Sequence, residues 1–196
     1  MFSFGLCVLQ WSACSQSTAT GSGPVVQKAA SKPGEWSFSV KDIEGLKAKF
    51  EYDAQTGWYY HKHWGSKLPK RRTLTADVND SGYFVLCSNF FAPQKLDHTS
   101  IEVHIGEEVL KSDAVELDGP EHRIEQNDHG IFEVNYYTRY RDNGIFQKIG
   151  TAGDKAVNVR FMGKRGYTDA ELPRSDRQAL LECFQLSLVL RQVGAR

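Results

Sequence analysis

Residues 72–91, RTLTADVNDSGYFVLCSNFF, decide the fold class of this chain. Two runs rich in apolar, β-branched and aromatic residues, Arg72–Val78 and Tyr83–Phe91, stand on either side of the turn signal at residues 79–82. Runs of this length bounded by Asn, Asp, Ser and Gly are typical of β-strands joined by a tight turn. The stretch therefore predicts two strands of a β-rich domain.

The same pattern repeats along most of the chain. Leu46–Tyr52 alternates apolar and polar residues, and a polar turn separates it from Trp58–Trp64, which predicts a hairpin. Further strand candidates are Ser100–Ile105, Ala114–Leu117, Arg123–Gln126, Ile131–Tyr137 and Val157–Phe161. Many short strands at this spacing predict a mainly β (α+β) fold, either an antiparallel β-sandwich or a strongly curved sheet.

The C-terminal segment predicts one α-helix over about residues 173–193. Pro173 precedes a capping box with Ser175 as N-cap and Gln178 at the third helical position. Leucines and other apolar residues form a wide stripe on the following turns, between Leu180 and Leu190. We expect this helix to cover one face of the sheet.

Composition limits the class of protein. The 196 residues carry 24 Lys and Arg against 24 Asp and Glu, so the formal net charge is zero, and 12% are aromatic. This length fits one domain, and the aromatic content argues against a chain disordered throughout. A neutral total argues against a wholly basic nucleic-acid-binding protein, and we expect no nucleic-acid partner. No run approaches the roughly 18–20 apolar residues that a membrane-spanning helix needs.

The N-terminus carries the features of an exported lipoprotein. Residues 2–9, FSFGLCVL, form an apolar run, WSAC follows at 11–14, and the polar tract SQSTATGSG comes next. This order resembles the end of a bacterial lipoprotein signal. The resemblance implies a signal peptide at 1–13, lipid on Cys14, a flexible linker at 14–34 and a single folded domain at 35–196.

The same resemblance implies an address. With Ser15 after the cysteine, it places the protein in the bacterial cell envelope, at the outer membrane facing the periplasm. Two features depart from the pattern: Trp11 stands where an aliphatic residue is usual, and no basic residue precedes the apolar run. The alternative is a cytoplasmic protein whose N-terminus is a buried strand.

Cysteines and histidines offer two further candidate sites. Cys87 and Cys183 are candidates for a disulfide in an oxidising periplasm, or else two buried free thiols. His61 and His63 are weak candidates for metal binding, because neighbouring His residues at this spacing share one face of a strand; they can equally be polar residues on a solvent face. No catalytic motif marks a nucleophile or an acid/base pair, so we expect a non-enzymatic protein without a cofactor.

Charge is segregated inside the neutral total. Residues 54–76 carry five Lys or Arg and no acid, whereas residues 107–121 carry six acids and one Lys. The candidates for binding an anion or a surface are Trp58, Tyr60, Lys62, Trp64, Lys67, Lys70, Arg71 and Arg72. Such a mixture suits membrane headgroups or an anionic glycan; it also suits a solvated hairpin with its aromatic residues packed inward.

The ending of the chain is similar to that of small uncharacterised bacterial β-rich domains. Residues 157–184, VNVRFMGKRGYTDAELPRSDRQALLECF, give a strand, a Tyr and an Asp, and then a helix. The resemblance implies only architecture, a sheet capped by a C-terminal helix.

Taken together, these features predict a non-enzymatic cell-envelope lipoprotein, held at the membrane by its lipid. Its role would be structural, or the binding of an envelope protein or an anionic glycan. One alternative is a cytoplasmic or phage-borne protein-interaction module. Another is an envelope enzyme or metal-binding protein that uses the region of His61 and His63.

Overall fold

The computed structural model describes residues 39–65 and 69–194. The predicted signal peptide, Cys14, the linker at 14–34 and Lys67 lie outside these residues. The elements are α1 (Val40–Lys47), β1 (Phe50–Asp53), β2 (Trp58–His61), β3 (Thr73–Asn79), β4 (Phe84–Ala92), β5 (His98–Ile105), β6 (Glu108–Lys111), β7 (His122–Asn127), β8 (Gly130–Tyr137), α2 (Ile145–Thr151), β9 (Val157–Gly163), β10 (Gly166–Glu171) and α3 (Arg174–Gly194).

The strands form two antiparallel sheets, which confirms the predicted mainly β class. The six-stranded sheet has the order β1-β2-β3-β4-β8-β7, and the four-stranded sheet has the order β10-β9-β5-β6. The two sheets give a sandwich-like architecture. None of the helices in the described part of the chain is both long and apolar enough to cross a membrane.

The predicted C-terminal helix is present and packs on the inner face of the six-stranded sheet. Alternate residues of β3, Leu74, Ala76 and Val78, are fully buried on that face. Leu180 and Leu186 of α3 belong to the same core and are equally buried. At roughly 1.5–3 kcal/mol for each large side chain removed from water, this contact is a main source of stability.

α3 also holds β3 and the β3–β4 turn by polar contacts along their length. The Cys183 thiol lies 3.4 Å from the Ala76 carbonyl, and Ser187 Oγ and Arg191 Nε both donate to the Gly82 carbonyl, at 2.7 and 3.0 Å. Gly82 has a φ of 78°, and a Cβ there would meet the Ser187 carbonyl at 2.5 Å. Only glycine satisfies both the backbone conformation and this close approach.

The predicted start of the first strand and the predicted start of the C-terminal helix are both wrong. The strand predicted over Leu46–Tyr52 begins only at Phe50, because Ser39 and Asp42 form a capping box that starts α1. At the other end, α3 begins at Arg174, so Ser175 lies inside its first turn and is not the N-cap. The Asp176 side chain points to the segment that connects β2 to β3, where it contacts His63 and Arg71.

Three further predictions differ from the observed strands. The strand predicted over Trp58–Trp64 ends at His61, and residues 62–64 turn away. Residues 114–117 form no strand; the Val115 N–H donates to the Thr99 carbonyl within an irregular segment. In addition to the predicted C-terminal helix, the structure contains α1 and α2, and it adds two short polar strands, β6 and β10.

Candidate functional site

One residue of the predicted basic surface, Arg71, is paired with a buried carboxylate of α3. Asp176 of α3 is fully buried and lies 2.6 Å from both Arg71 Nη2 and His63 Nε2, while Thr73 Oγ1 also donates to it. Burial by itself raises the pKa of Asp176, but the hydrogen bonds from Arg71, Thr73 and His63 outweigh burial and hold the pKa below its ordinary value.

Glu182 makes a second, similar site six residues further along α3. Its carboxylate lies 2.8 Å from His61 Nε2 and 2.6 Å from Lys49 Nζ, and Gln178 Nε2 donates to it at 2.7 Å. The backbone N–H of His63 donates to His61 Nδ1, which leaves the Nε2–H to donate to Glu182. Burial opposes ionisation, yet these hydrogen bonds lower the pKa of Glu182 to about 2.

These contacts engage both histidines, His61 and His63, which were the candidates for metal binding. Each ring binds a carboxylate of α3, so His61 and His63 join the hairpin to the helix. Within residues 39–65 and 69–194, no group of three or more His, Cys, Asp or Glu side chains is arranged to hold a metal ion.

The remaining basic candidates do not form a continuous cationic patch. Lys62 Nζ donates to the Ala48 carbonyl at 2.7 Å, and the Arg72 guanidinium lies over the Phe90 ring at 5.5 Å. Lys70 is exposed on the rim of a large groove. A run that sums to +5 in the sequence is therefore dispersed and partly neutralised in the fold.

That groove, which we call the outer groove, lies on the face of the six-stranded sheet opposite α3. Its volume is about 710 Å³. The residues that line it are Tyr60, His61, Trp64, Gly65, Pro69, Lys70, Thr75, Asp77, Cys87, Asn89, Arg123, Glu125, Asn127, Phe132, Val134 and Tyr136. It combines aromatic rings with planar polar side chains on a rigid sheet.

Strand alternation builds the groove floor. Thr75 pairs with Cys87 and Cys87 with Tyr136, so these three outward-facing residues form one row across β3, β4 and β8. Asn89 is 2% exposed, and its Nδ2 donates to Thr75 Oγ1 at 3.1 Å. A small apolar cluster underlies this face: Val85, Cys87 and Val134, packed with Trp58, Tyr83 and Tyr136.

Asp77 is the unusual member of this floor. It pairs with Tyr60 of β2 on one side and with Val85 of β4 on the other. Its carboxyl accepts no hydrogen bond from any residue that the structure describes, and burial raises its pKa to about 7. A carboxyl in an apolar setting without a donor or a cation is costly to ionise.

The far wall of the groove is made by β7. Arg123 hydrogen-bonds Tyr136, which raises the pKa of Arg123, and it forms an ion pair with Glu125. Glu125 lies opposite Phe132 of β8. Asp77 lies opposite Val85 of β4, and this row would meet β8 at residue 138, one position after Tyr137. The offset along the strands is thus six residues, which at about 3.3 Å per residue is about 20 Å. A pair of carboxylates that hydrolyses a glycosidic bond stands about 5–9.5 Å apart, so Asp77 and Glu125 are not such a pair.

The two cysteines occupy opposite faces of the six-stranded sheet. Cys87 lies in the groove floor, and Cys183 lies in the inner core beneath β3. Both are buried free thiols, and burial raises the pKa of each well above the ordinary value of a cysteine. A thiol of this kind is a poor nucleophile at neutral pH.

A serine and a histidine also meet, but without access to a substrate. Ser88 Oγ lies 2.6 Å from His98 Nε2, and both residues are fully buried between the sheets. Desolvation lowers the pKa of His98 to about 4. Tyr137 and the Met162 carbonyl complete their hydrogen bonds, so the pair is a structural element of the core.

The sequence pattern predicts residues of one wall of the outer groove but none of its floor. Tyr60, Trp64 and Lys70 were among the surface-binding candidates, whereas Asp77, Asn89 and Tyr136 were not. One signal was present: an Asp in the middle of a β-strand, where this residue type is depleted.

No family model, curated protein or solved structure matches the chain.

Proposed function

We propose that this protein is a non-enzymatic, lipid-anchored protein of the cell envelope that binds a glycan chain in the outer groove. The observation that carries the proposal is the open groove over a rigid sheet face, lined by aromatic rings and by planar polar side chains. Binding sites of this size combine apolar contact area with a few polar groups that fix orientation.

The lining matches the chemistry of a sugar. A sugar ring presents C–H faces that pack on aromatic rings, and Tyr60, Trp64 and Tyr136 supply such rings. Its hydroxyl groups need donors and acceptors, which Asn127 and Arg123 supply on the opposite wall.

The direct test measures binding of soluble oligosaccharides to the whole chain. We expect titration calorimetry with chitooligosaccharides and cellooligosaccharides to detect binding by at least one series. Tyr60→Ala should weaken that binding at least tenfold, because it removes a wall of the groove. Tyr167→Ala is the matched control, since Tyr167 is an exposed aromatic residue, 59% accessible, on β10 of the other sheet. Absence of binding, or equal losses in the two variants, would contradict the proposal.

The membrane attachment is supported by the signal-like N-terminal sequence alone. Labelled palmitate should enter the wild-type chain in a bacterial host, and Cys14→Ala should abolish labelling and move the protein to the soluble fraction. Cys7→Ala is the matched control, because it changes a cysteine of the same segment that the cleaved signal would remove. Identical fractionation of wild type and Cys14→Ala would rule out the lipid anchor.

A further inference from the structure

The strongest unexplained feature is the carboxyl of Asp77, which faces the outer groove without a partner among residues 39–65 and 69–194. We propose that the part of the groove around Asp77 is a subsite for an organic ammonium group, with Asp77 as the counter-ion and the neighbouring aromatic rings as the walls. This inference rests on the proposed groove function and specifies the ligand: a glycan that carries a free or methylated amino group.

Two aromatic residues of β2 lie on the same face of the sheet as Asp77. Tyr60 lies directly opposite on β2, and Trp58 is two residues before it on the same face of that strand. The ring of Tyr83 meets Trp58 at 6.3 Å in an edge-to-face arrangement. Aromatic faces attract ammonium groups, and the attraction is strongest where water is excluded.

No cation within the described chain serves Asp77. The titratable groups that face it are Tyr60 on β2, Cys87 on β4, Tyr136 on β8 and, through the sheet, Cys183 on α3. Phenol and thiol groups never carry a positive charge, so none of these can balance an ionised carboxyl. A ligand that carries a positive charge would supply the counter-charge that no described residue provides to Asp77.

The other ligand classes fit this position less well. An anion would meet an ionising carboxyl without a described cation beside it, since Arg123 lies with Glu125 on the far wall and Lys70 lies on the rim. A neutral hydroxyl could donate one hydrogen bond, but it would leave the charge of the carboxylate uncompensated. An ammonium group satisfies both needs.

The subsite should depend on pH in a defined direction. An ammonium group pairs with the ionised form of Asp77, whose pKa burial raises to about 7. Binding is therefore strongest above pH 7 and weakens as the carboxyl takes up a proton, by at most about tenfold for each pH unit below the pKa.

The experiment compares two probes of the same shape. Choline carries a quaternary ammonium group, and 3,3-dimethyl-1-butanol replaces its nitrogen by carbon and has no charge. In NMR titrations of the full chain at pH 8, choline should bind at least tenfold more tightly than the alcohol. Asp77→Asn should abolish the preference, while Asp128→Asn, at an exposed turn, should retain it. Choline binding should fall about tenfold between pH 8 and pH 6 in the wild type, and Asp77→Asn should show no such change.

The outcomes separate this inference from the proposed function. Equal binding of the two probes, no binding of choline, or full choline binding by Asp77→Asn would each overturn the ammonium subsite. If oligosaccharides still bind and Tyr60→Ala still weakens them, the groove function stands without it. If choline binds through Asp77 and no oligosaccharide binds, the subsite stands and the glycan proposal fails.

Discussion

Two carboxyl groups on opposite faces of the six-stranded sheet differ in their hydrogen bonds and in the direction of their pKa shifts. Glu182, on α3 beneath the sheet, receives hydrogen bonds from Lys49, His61 and Gln178, and its pKa falls to about 2. Asp77, in the outer groove, receives none from the described residues, and its pKa rises to about 7. Among the described residues, counter-charges surround the carboxyl that fixes the helix, and none lies beside the carboxyl in the groove.

The difference also explains where the basic residues of the segment 54–76 lie in the fold. Arg71, His61 and His63 face α3 and are paired with its two carboxylates, so they serve the architecture. Lys70 points to the groove rim and has no such role. A charge run in a sequence therefore does not by itself predict a charged surface.

The largest effect should come from removing the charge of the well-paired group. Glu182→Gln should lower the free energy of unfolding at pH 7 by about 2–3 kcal/mol, because a depressed pKa measures the preference of the folded state for the ionised form. That contribution is complete above the ordinary pKa of 4.5 and disappears as the pH falls toward 2. Urea unfolding at pH 7 and pH 3 measures it.

The control for this prediction is Glu44→Gln, at an exposed position of α1. It should change the unfolding free energy by less than about 0.5 kcal/mol at either pH. An equal loss in the two variants would show that Glu182 has no special electrostatic role.

The opposite sign is expected at Asp77. Its raised pKa means that the folded state holds the proton more tightly than the unfolded chain, so this group lowers stability as the pH rises from about 4 to about 7. Asp77→Asn should therefore stabilise the protein by about 1–3 kcal/mol at pH 8 and have little effect at pH 4. Thermal unfolding at the two pH values gives the comparison, and destabilisation at pH 8 would contradict it.

The smallest effect on the free energy of unfolding is expected for two neighbouring basic residues, Arg71 and Lys70. Arg71→Gln should lower the unfolding free energy by about 1 kcal/mol, since it breaks the bond to the buried Asp176, although Arg71 itself is 47% exposed. Lys70→Gln should stay within about 0.5 kcal/mol. Parallel urea titrations test the order, and equal values would mean that the pairing with Asp176 contributes nothing measurable.

The strand-rich part of the fold was predictable from local pattern. Apolar runs between strong turn signals identified the strands around residues 72–91, because turn chemistry and alternation are both local. Short polar strands such as β6 and β10 carry no such signal, since their edge position demands few buried residues. The capping box at Ser39 overrode an alternating pattern that favoured a strand at Leu46.

The site was predictable only in part. The aromatic residues of β2 stand out in the sequence, but the groove also needs residues of β3, β4, β7 and β8, and Tyr60 and Tyr136 are 76 positions apart. The register between β3, β4, β8 and β7 places Asp77, Cys87, Tyr136 and Arg123 on one face, and nothing local encodes that register. The pairing of Arg71 with Asp176 likewise spans 105 positions.

The attachment of α3 to β3 has a consequence for molecular recognition. The helix holds this strand at its first residue through Thr73, in its middle at Ala76 and at the following turn through Gly82. These contacts restrict the movement of β3, one of the three strands of the groove floor, when a molecule binds. Association then loses little conformational entropy in the protein, and selectivity comes from fit to a preorganised surface.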